Sequence, residues 1–286
     1  MNLISKIILI LLILLAFGSL LAYKVAPTRS QVFLDKIIGR EPEPEPIVYQ
    51  EELTIRIPEG SNNKEVAKVL AVSGLFSEED FLKAQKNYPS EGFDFLVDRP
   101  AGTDLEGYLY PDTYRFFASS TPEEVITVML KNFDKKLTPD LRAEIIAQGK
   151  TISEIVIMAS LIEKEAPIFY AQKDNTDAKI VSGIFWRRLE NNQALQSCAS
   201  LAYILGVNKP QYSLADTQTP SPFNTYLNRG LTPSPIANPG YLALEAAIYP
   251  TTTNYNYFLT PVDSKKMIYS ATYEEHLINK NKYLPN

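Results

Sequence analysis

Across residues 151–166 (TISEIVIMASLIEKEA) the apolar positions leave almost no polar face. Ile155, Val156, Ile157, Met158, Leu161 and Ile162 cover nearly every direction around a 3.6-residue turn, which predicts a helix enclosed within a domain. Thr151 with Glu154 three residues later is a capping-box start, and Pro167 forbids continuation. Elsewhere the faces are narrower. Leu53, Ile55 and Ile57 alternate as a half-buried strand, residues 58–60 turn, and Val66, Ala67 and Leu70 mark a short helix. Ser77 and Asp80 open a second one. Residues 121–124 (TPEE) start a helix with the face Val125, Met129, Phe133 and Leu137, and residues 139–148 give another, stopped by Gly149. Ile180, Val181, Ile184 and Leu189 define one more, and residues 200–205 a shorter one before Gly206. Near the end Tyr255, Tyr257 and Leu259 alternate as a strand, followed by a helix over 273–283.

Two segments break these periods. Residues 106–116 (EGYLYPDTYRF), dense in aromatics and turn residues, read as a surface wall or as a packed hairpin with tyrosines at its rim. In residues 217–240 frequent Pro and Gly exclude regular structure, yet Phe223, Tyr226, Leu231 and Ile236 give apolar footing, as in long ordered loops that carry function. The element mix is α+β.

The N-terminus adds a different signal. Residues 7–22 (IILILLILLAFGSLLA), extended by Leu3 and Ile4 if Lys6 snorkels, approach the roughly 17–20 residues that span a bilayer. The run is an anchor or a signal peptide; its length and the weak match of residues 19–22 to an A-x-A site favour an uncleaved anchor. Lys6 on one side and Lys24 with Arg29 on the other leave its orientation open. Residues 41–46 (EPEPEP) form a stiff, self-repelling linker. The expected division is therefore 1–24 cytoplasmic tip and single transmembrane helix, 25–49 linker, 50–98 a small module, and 99–286 a mixed α/β domain.

Composition narrows the chemistry. The 286 residues are 45% hydrophobic, enough for real cores. A net charge of −5 without a basic, aromatic-interleaved patch argues against a nucleic-acid partner. One Cys (Cys198) and one His (His276) exclude an intrachain disulfide, a Cys/His zinc cage and, unless His276 serves, a Ser-His or Cys-His dyad. The buried helix ends in Glu163, Lys164 and Glu165, and successive helical residues turn by roughly 100°, so the two glutamates point to nearly opposite sides. Glu165 lies near the Met158 and Leu161 directions, where apolar surroundings would raise its pKa and suit a general acid; a solvated helix end is the plain alternative. Asn224, Thr225, Tyr226 and Asn238 supply neutral donors and acceptors beside aromatic faces, fit to hold sugar hydroxyls and acetamido groups. Tyr226 also has a packing reading, and Asn224 a turn-capping one.

Three stretches taken together, residues 106–116, residues 158–166 (MASLIEKEA) and residues 221–240 (SPFNTYLNRGLTPSPIANPG), resemble the YceG-like family of endolytic murein transglycosylases. Leu195-Gln196-Ser197 and the closing TYEEHLINKNKYL support it, and the resemblance covers most of the chain. It implies a membrane-anchored enzyme with a LysM-like module in residues 50–98 and a catalytic domain in residues 99–286, facing the outer side of the cytoplasmic membrane. The implied reaction is non-hydrolytic cleavage of the β-1,4 bond between N-acetylmuramic acid and N-acetylglucosamine in nascent peptidoglycan, leaving a 1,6-anhydro end. The family's essential glutamate falls on Glu165. Gln196, Asn224, Tyr226 and Asn238, with Glu106, Tyr108 and Asp112 from the aromatic segment, are the expected substrate-binding residues, and Glu106 and Asp112 are the candidates for any second acid. Neither metal nor organic cofactor is implied; the partners would be glycan strands, the membrane and cell-wall synthases. Cys198-Ala199-Ser200 stands where the family carries Asp-Pro-Thr, and Met267 where it carries His, which motivates a competing reading as a weakly active or inactive glycan-binding scaffold. An ordinary glycoside hydrolase is a third.

Overall fold

The computed structural model describes residues 51–261 and 266–284. The expected membrane helix and the EPEPEP linker lie outside the described residues. Residues 50–286 form one compact unit. Among the described residues no single helix is long and apolar enough to cross a membrane.

The unit opens with β1 (Glu52–Arg56), α1 (Asn63–Val72) and α2 (Glu78–Asn87), and β1 pairs antiparallel with β2 (Thr113–Phe117), Ile55 facing Tyr114 and Leu53 facing Phe116. Both helix starts are locally specified: Asn62 and Glu65 form a reciprocal capping box, and Ser77 accepts from the Asp80 N–H. The strand that completes this β-α-α-β unit, β2, lies beyond residue 98, in the segment expected to start the next domain.

Next come α3 (Pro122–Lys136), α4 (Pro139–Ala147) and α5 (Ile152–Glu165). Thr121 with Glu124 and Thr151 with Glu154 form the capping boxes read in the sequence, and each leads into a run with a buried face. Val125, Met129, Phe133 and Leu137 are all buried, as their spacing predicts. α5 is the central rod. Nine of its residues are buried, and it packs against α4, α6 (Thr176–Glu190), α7 (Cys198–Leu205) and α9 (Tyr241–Ile248). Ala166 turns extended ahead of Pro167, which fixes where the rod stops. A short α8 (Leu214–Thr217), the antiparallel pair β3 (Tyr257–Leu259) and β4 (Ile268–Ser270), and α10 (Tyr273–Tyr283) complete the order.

Residues 105–111 depart from the surface-wall expectation, for all of them are buried. Tyr108 is wholly enclosed, its ring against Phe95 and Phe133 at 6.3 and 5.7 Å. Buried irregular backbone needs donors and acceptors from elsewhere, and Asn238 provides them. Its Oδ1 accepts from the Gly107 and Leu109 N–H, both at 2.9 Å, while its Nδ2 donates to the Ser61 carbonyl, Asn63 Oδ1 and Glu106 Oε1. Gly107 takes φ +92°, and a Cβ there would sit 2.5 Å from Pro235, so no side chain fits. Glu106 is likewise buried, with both oxygens 3.0 Å from the Asn63 N–H. Burial pushes its carboxyl well above the ordinary range, against the lowering effect of the Asn63 N–H.

Two outcomes follow from this buried frame. Asn238→Ala strands two buried N–H groups and should cost about 2–5 kcal/mol in denaturant unfolding, whereas Asp112→Asn at the surface should stay within about 0.5 kcal/mol. Because the Glu106 pKa is raised on folding, its contribution is full below the unfolded carboxylate value near pH 4 and is lost as pH rises through the folded value. Glu106→Gln should therefore flatten the fall of unfolding free energy as pH rises above about 4.

Candidate active site

Glu165 is the last residue of α5, and its carboxyl opens on a cavity of about 680 Å³. Glu163, two residues back, points elsewhere: it accepts from the Tyr170 hydroxyl at 2.5 Å and the Gly240 N–H at 3.0 Å and does not line the cavity. The 100° step therefore separates the two carboxyls as the helical geometry predicts.

The surroundings of Glu165 are more polar than the sequence suggests. Oε1 accepts from the Ser197 hydroxyl at 2.5 Å and from the Ala199 N–H at 2.8 Å, and the Cys198 N–H adds to the same end. These groups form the start of α7, where unpaired N–H groups and the positive end of the helix dipole favour a negative charge. Burial opposes them. Removal from water raises the Glu165 pKa more than Ser197, the two backbone N–H groups and the Arg188 charge lower it, so the net shift is upward. The carboxyl thus has both a reason to hold a proton and a cradle to receive its charge.

The long loop sets this cradle. The Thr225 carbonyl accepts from the Gln196 N–H at 3.0 Å, and its Oγ1 accepts from the Ser197 N–H at 2.9 Å. Ser200 Oγ lies 2.9 Å from the same Oγ1 and donates to the Ser197 carbonyl. Gln196 is held at φ +52°, a left-handed conformation for a non-glycine residue, with its side chain on the cavity.

The expected residues divide into two groups. Glu165, Gln196 and Tyr226 line the cavity. Asn224, Asn238, Glu106, Tyr108 and Asp112 do not, and the first four are buried. Asn224 spends its side chain on the loop, donating to the Thr217 and Thr219 carbonyls and accepting from the Tyr226 N–H, which matches the turn-capping reading. Asn238 and Glu106 brace the frame described above. Asp112 sits at the surface beside Asn132 and Lys136. The neutral amides were read as sugar holders because the sequence does not show which backbone groups lack partners; here those groups take the amides first.

Other cavity residues carried no signal of their own. Arg188 on α6 is buried, bonding the Leu195 and Asn256 carbonyls and lying over the Tyr257 ring, and His276 stacks on that ring at 5.2 Å. Ser197 stood in a segment noted only for its resemblance. The Cys198 thiol faces the cavity 3.2 Å from the Tyr226 hydroxyl, and shielding with the nearby Glu165 charge pushes it up to about 11, so it stays a neutral thiol. Met267 is buried and off the cavity lining, so that departure from the family pattern falls outside the cavity. Among the described residues no three His, Cys, Asp or Glu side chains converge as metal ligands.

A family model described as the YceG-like family matches residues 24–282. The chain is 30% identical over 241 residues to an endolytic murein transglycosylase of Bacillus subtilis, an alignment covering 80% of this chain and 65% of that protein. It is 34% identical over 244 residues to an endolytic murein transglycosylase of Streptococcus pneumoniae, covering 78% and 43%. The chain thus spans less than two thirds of either relative. A crystal structure of a yceG-like protein from Listeria monocytogenes superposes with a TM-score of 0.69 at 31% identity, covering 87% of this chain and 80% of that one. The chain belongs to the YceG-like family.

Removing the Ser197 hydroxyl takes away a donor that favours the charged form. In Ser197→Ala the Glu165 pKa should rise further, and any reaction that needs its protonated form should persist to higher pH; the pH–rate profile of the variant checks this.

Proposed function

We propose that this protein is an endolytic lytic transglycosylase, cleaving the β-1,4 bond between N-acetylmuramic acid and N-acetylglucosamine in peptidoglycan and leaving a 1,6-anhydro end. The observation that carries the reading is the Glu165 carboxyl, raised in pKa by burial yet held by three donors on the cavity wall. The two relatives, both endolytic murein transglycosylases, support the substrate class.

One carboxyl suffices for this chemistry. Protonated Glu165 gives its proton to the glycosidic oxygen, and the bond from that oxygen to the anomeric carbon breaks with its electron pair going to the leaving group. The carboxylate then takes the proton of the muramyl 6-hydroxyl as its oxygen bonds to the anomeric carbon. Glu165 ends protonated, and no water is consumed. Burial favours the acid half of this cycle, while Ser197 and the start of α7 favour the carboxylate half. Tyr226 and Gln196 remain as substrate contacts in this reading.

Hydrolysis would require a second acid at a set separation. The other carboxylate on the cavity, Glu65, is engaged by the Asn62 N–H in a capping box. The scaffold reading rests on Cys198 and Met267, but the donors from residues 198 and 199 are backbone N–H groups, which an altered side chain leaves in place, and Met267 lies off the cavity lining. The same proposal assigns residues 1–24 as a membrane anchor and the β-α-α-β unit as a LysM-like glycan contact. It puts the catalytic part on the outer face of the cytoplasmic membrane, with synthases as neighbours.

Incubating the full chain with uncrosslinked glycan strands should yield anhydro-ended fragments by mass spectrometry. Reducing ends would replace the proposal with hydrolysis, and no product would favour the scaffold. Glu165→Gln should lower cleavage about 10²–10⁴-fold while glycan binding persists, and Glu163→Gln should keep most activity.

A further inference from the structure

Lys164, Arg188, Lys209 and Lys280 line the cavity against the carboxyls of Glu65 and Glu165, a local positive excess in a chain whose net charge is −5. Two of the cations are already engaged. Lys164 Nζ donates to the Gly60 carbonyl at 3.1 Å, and Lys209 pairs with Asp216 at 2.8 Å. Arg188 and Lys280 have no carboxylate within ion-pair distance among the described residues. For Arg188 this is costly, because its guanidinium is only 6% exposed and rests on two backbone carbonyls and the face of Tyr257.

His276 senses the resulting field. It lies on α10 with its ring stacked on Tyr257 of β3, lines the same cavity, and feels the charges of Lys280 on its own helix and Arg188 on α6. Its Nδ1 is buried without a hydrogen-bond partner, so nothing stabilises an imidazolium there. Burial first, and then Lys280 and Arg188, hold it in its neutral form. This wall holds a buried cation that shares the field of Glu165, a carboxyl that burial pushes toward its neutral form, together with an exposed cation and a neutral histidine, so a further negative charge fits there.

We propose that Arg188 and Lys280 form an anion subsite beside Glu165, which takes a carboxylate carried by the substrate. The assignment rests on the transglycosylase reading for its ligand class. In peptidoglycan the carboxylate has two sources, the lactyl carboxyl of muramic acid where no peptide is attached, and the carboxyl groups of the peptide stem. Arg188 is fixed by its carbonyl bonds and supplies the field; Lys280, long and exposed, supplies the adjustable contact.

The test uses the full chain carrying Glu165→Gln, so that strands bind without being cut, and three glycan preparations: stems with free carboxyls, stems with amidated carboxyls, and strands stripped of stems. His276 is the sole histidine, so a ¹³C-histidine label reports it alone. At least one of the two carboxylate-bearing preparations should bind about three- to tenfold more tightly than amidated strands and raise the His276 pKa, and added salt or Lys280→Gln should erase the difference. Tighter binding of stripped strands than of amidated ones assigns the lactyl carboxyl; tighter binding of free-carboxyl stems than of amidated ones assigns the stem. Equal binding of all three preparations, or a preference unchanged in Lys280→Gln, overturns the subsite. Cleavage by the unsubstituted chain is scored separately: if it cuts nothing the transglycosylase reading falls, while the binding comparison still decides the subsite.

Discussion

The arrangement turns on one junction, where the end of one apolar helix meets the N–H groups at the start of another, shorter one. α5 delivers Glu165 at the point where Pro167 stops it, and α7 begins with its N–H groups aimed at that carboxyl. Neither helix creates the site alone. Without α7 the carboxyl would be a buried acid lacking donors, and without α5 the donors would face water. The residues between the walls exist to hold this meeting in register: Thr225 grips the backbone of Gln196 and Ser197, and Ser200 closes the same small network.

Two opposed effects of similar kind act on that carboxyl. Burial favours the proton, and the Ser197 hydroxyl, two backbone N–H groups and the Arg188 charge favour its loss. Burial prevails, but the opposition narrows the gap between the two forms, which suits the proposed donation and return of a proton. Glu106 and Glu163 are also raised by burial, yet each is closed off by partners within the frame. A raised pKa alone therefore does not distinguish these carboxyls. Access to the cavity sets Glu165 apart.

Much of this was legible from residue order. Capping boxes at Thr121 and Thr151, prolines at 122, 139 and 167, and the spacing of Val125, Met129, Phe133 and Leu137 fixed the helices, since these signals act within a turn or two of chain. The angular separation of Glu163 and Glu165 followed from helical geometry. α9 went unread, for it starts on Gly240 with no side-chain cap and is apolar all round. The roles of Asn224, Asn238 and Tyr108 were unreadable for another reason. Whether an amide holds a ligand or a stranded backbone N–H depends on which segments meet, and Asn238 meets residues 131 and 177 positions away.

That reach has a consequence for how the protein comes into being. A chain leaving the ribosome presents β1, α1 and α2 early, but Gly107, Leu109 and Glu106 lack their brace until Asn238 emerges. Closing so long a loop comes late and slowly. Glu165, synthesised midway, meets its donors on α7 only after Ser197 and then Thr225 have followed it out. The surroundings of Glu165 are thus completed near the end of synthesis, and a truncated product carries the carboxyl without the donors that hold it.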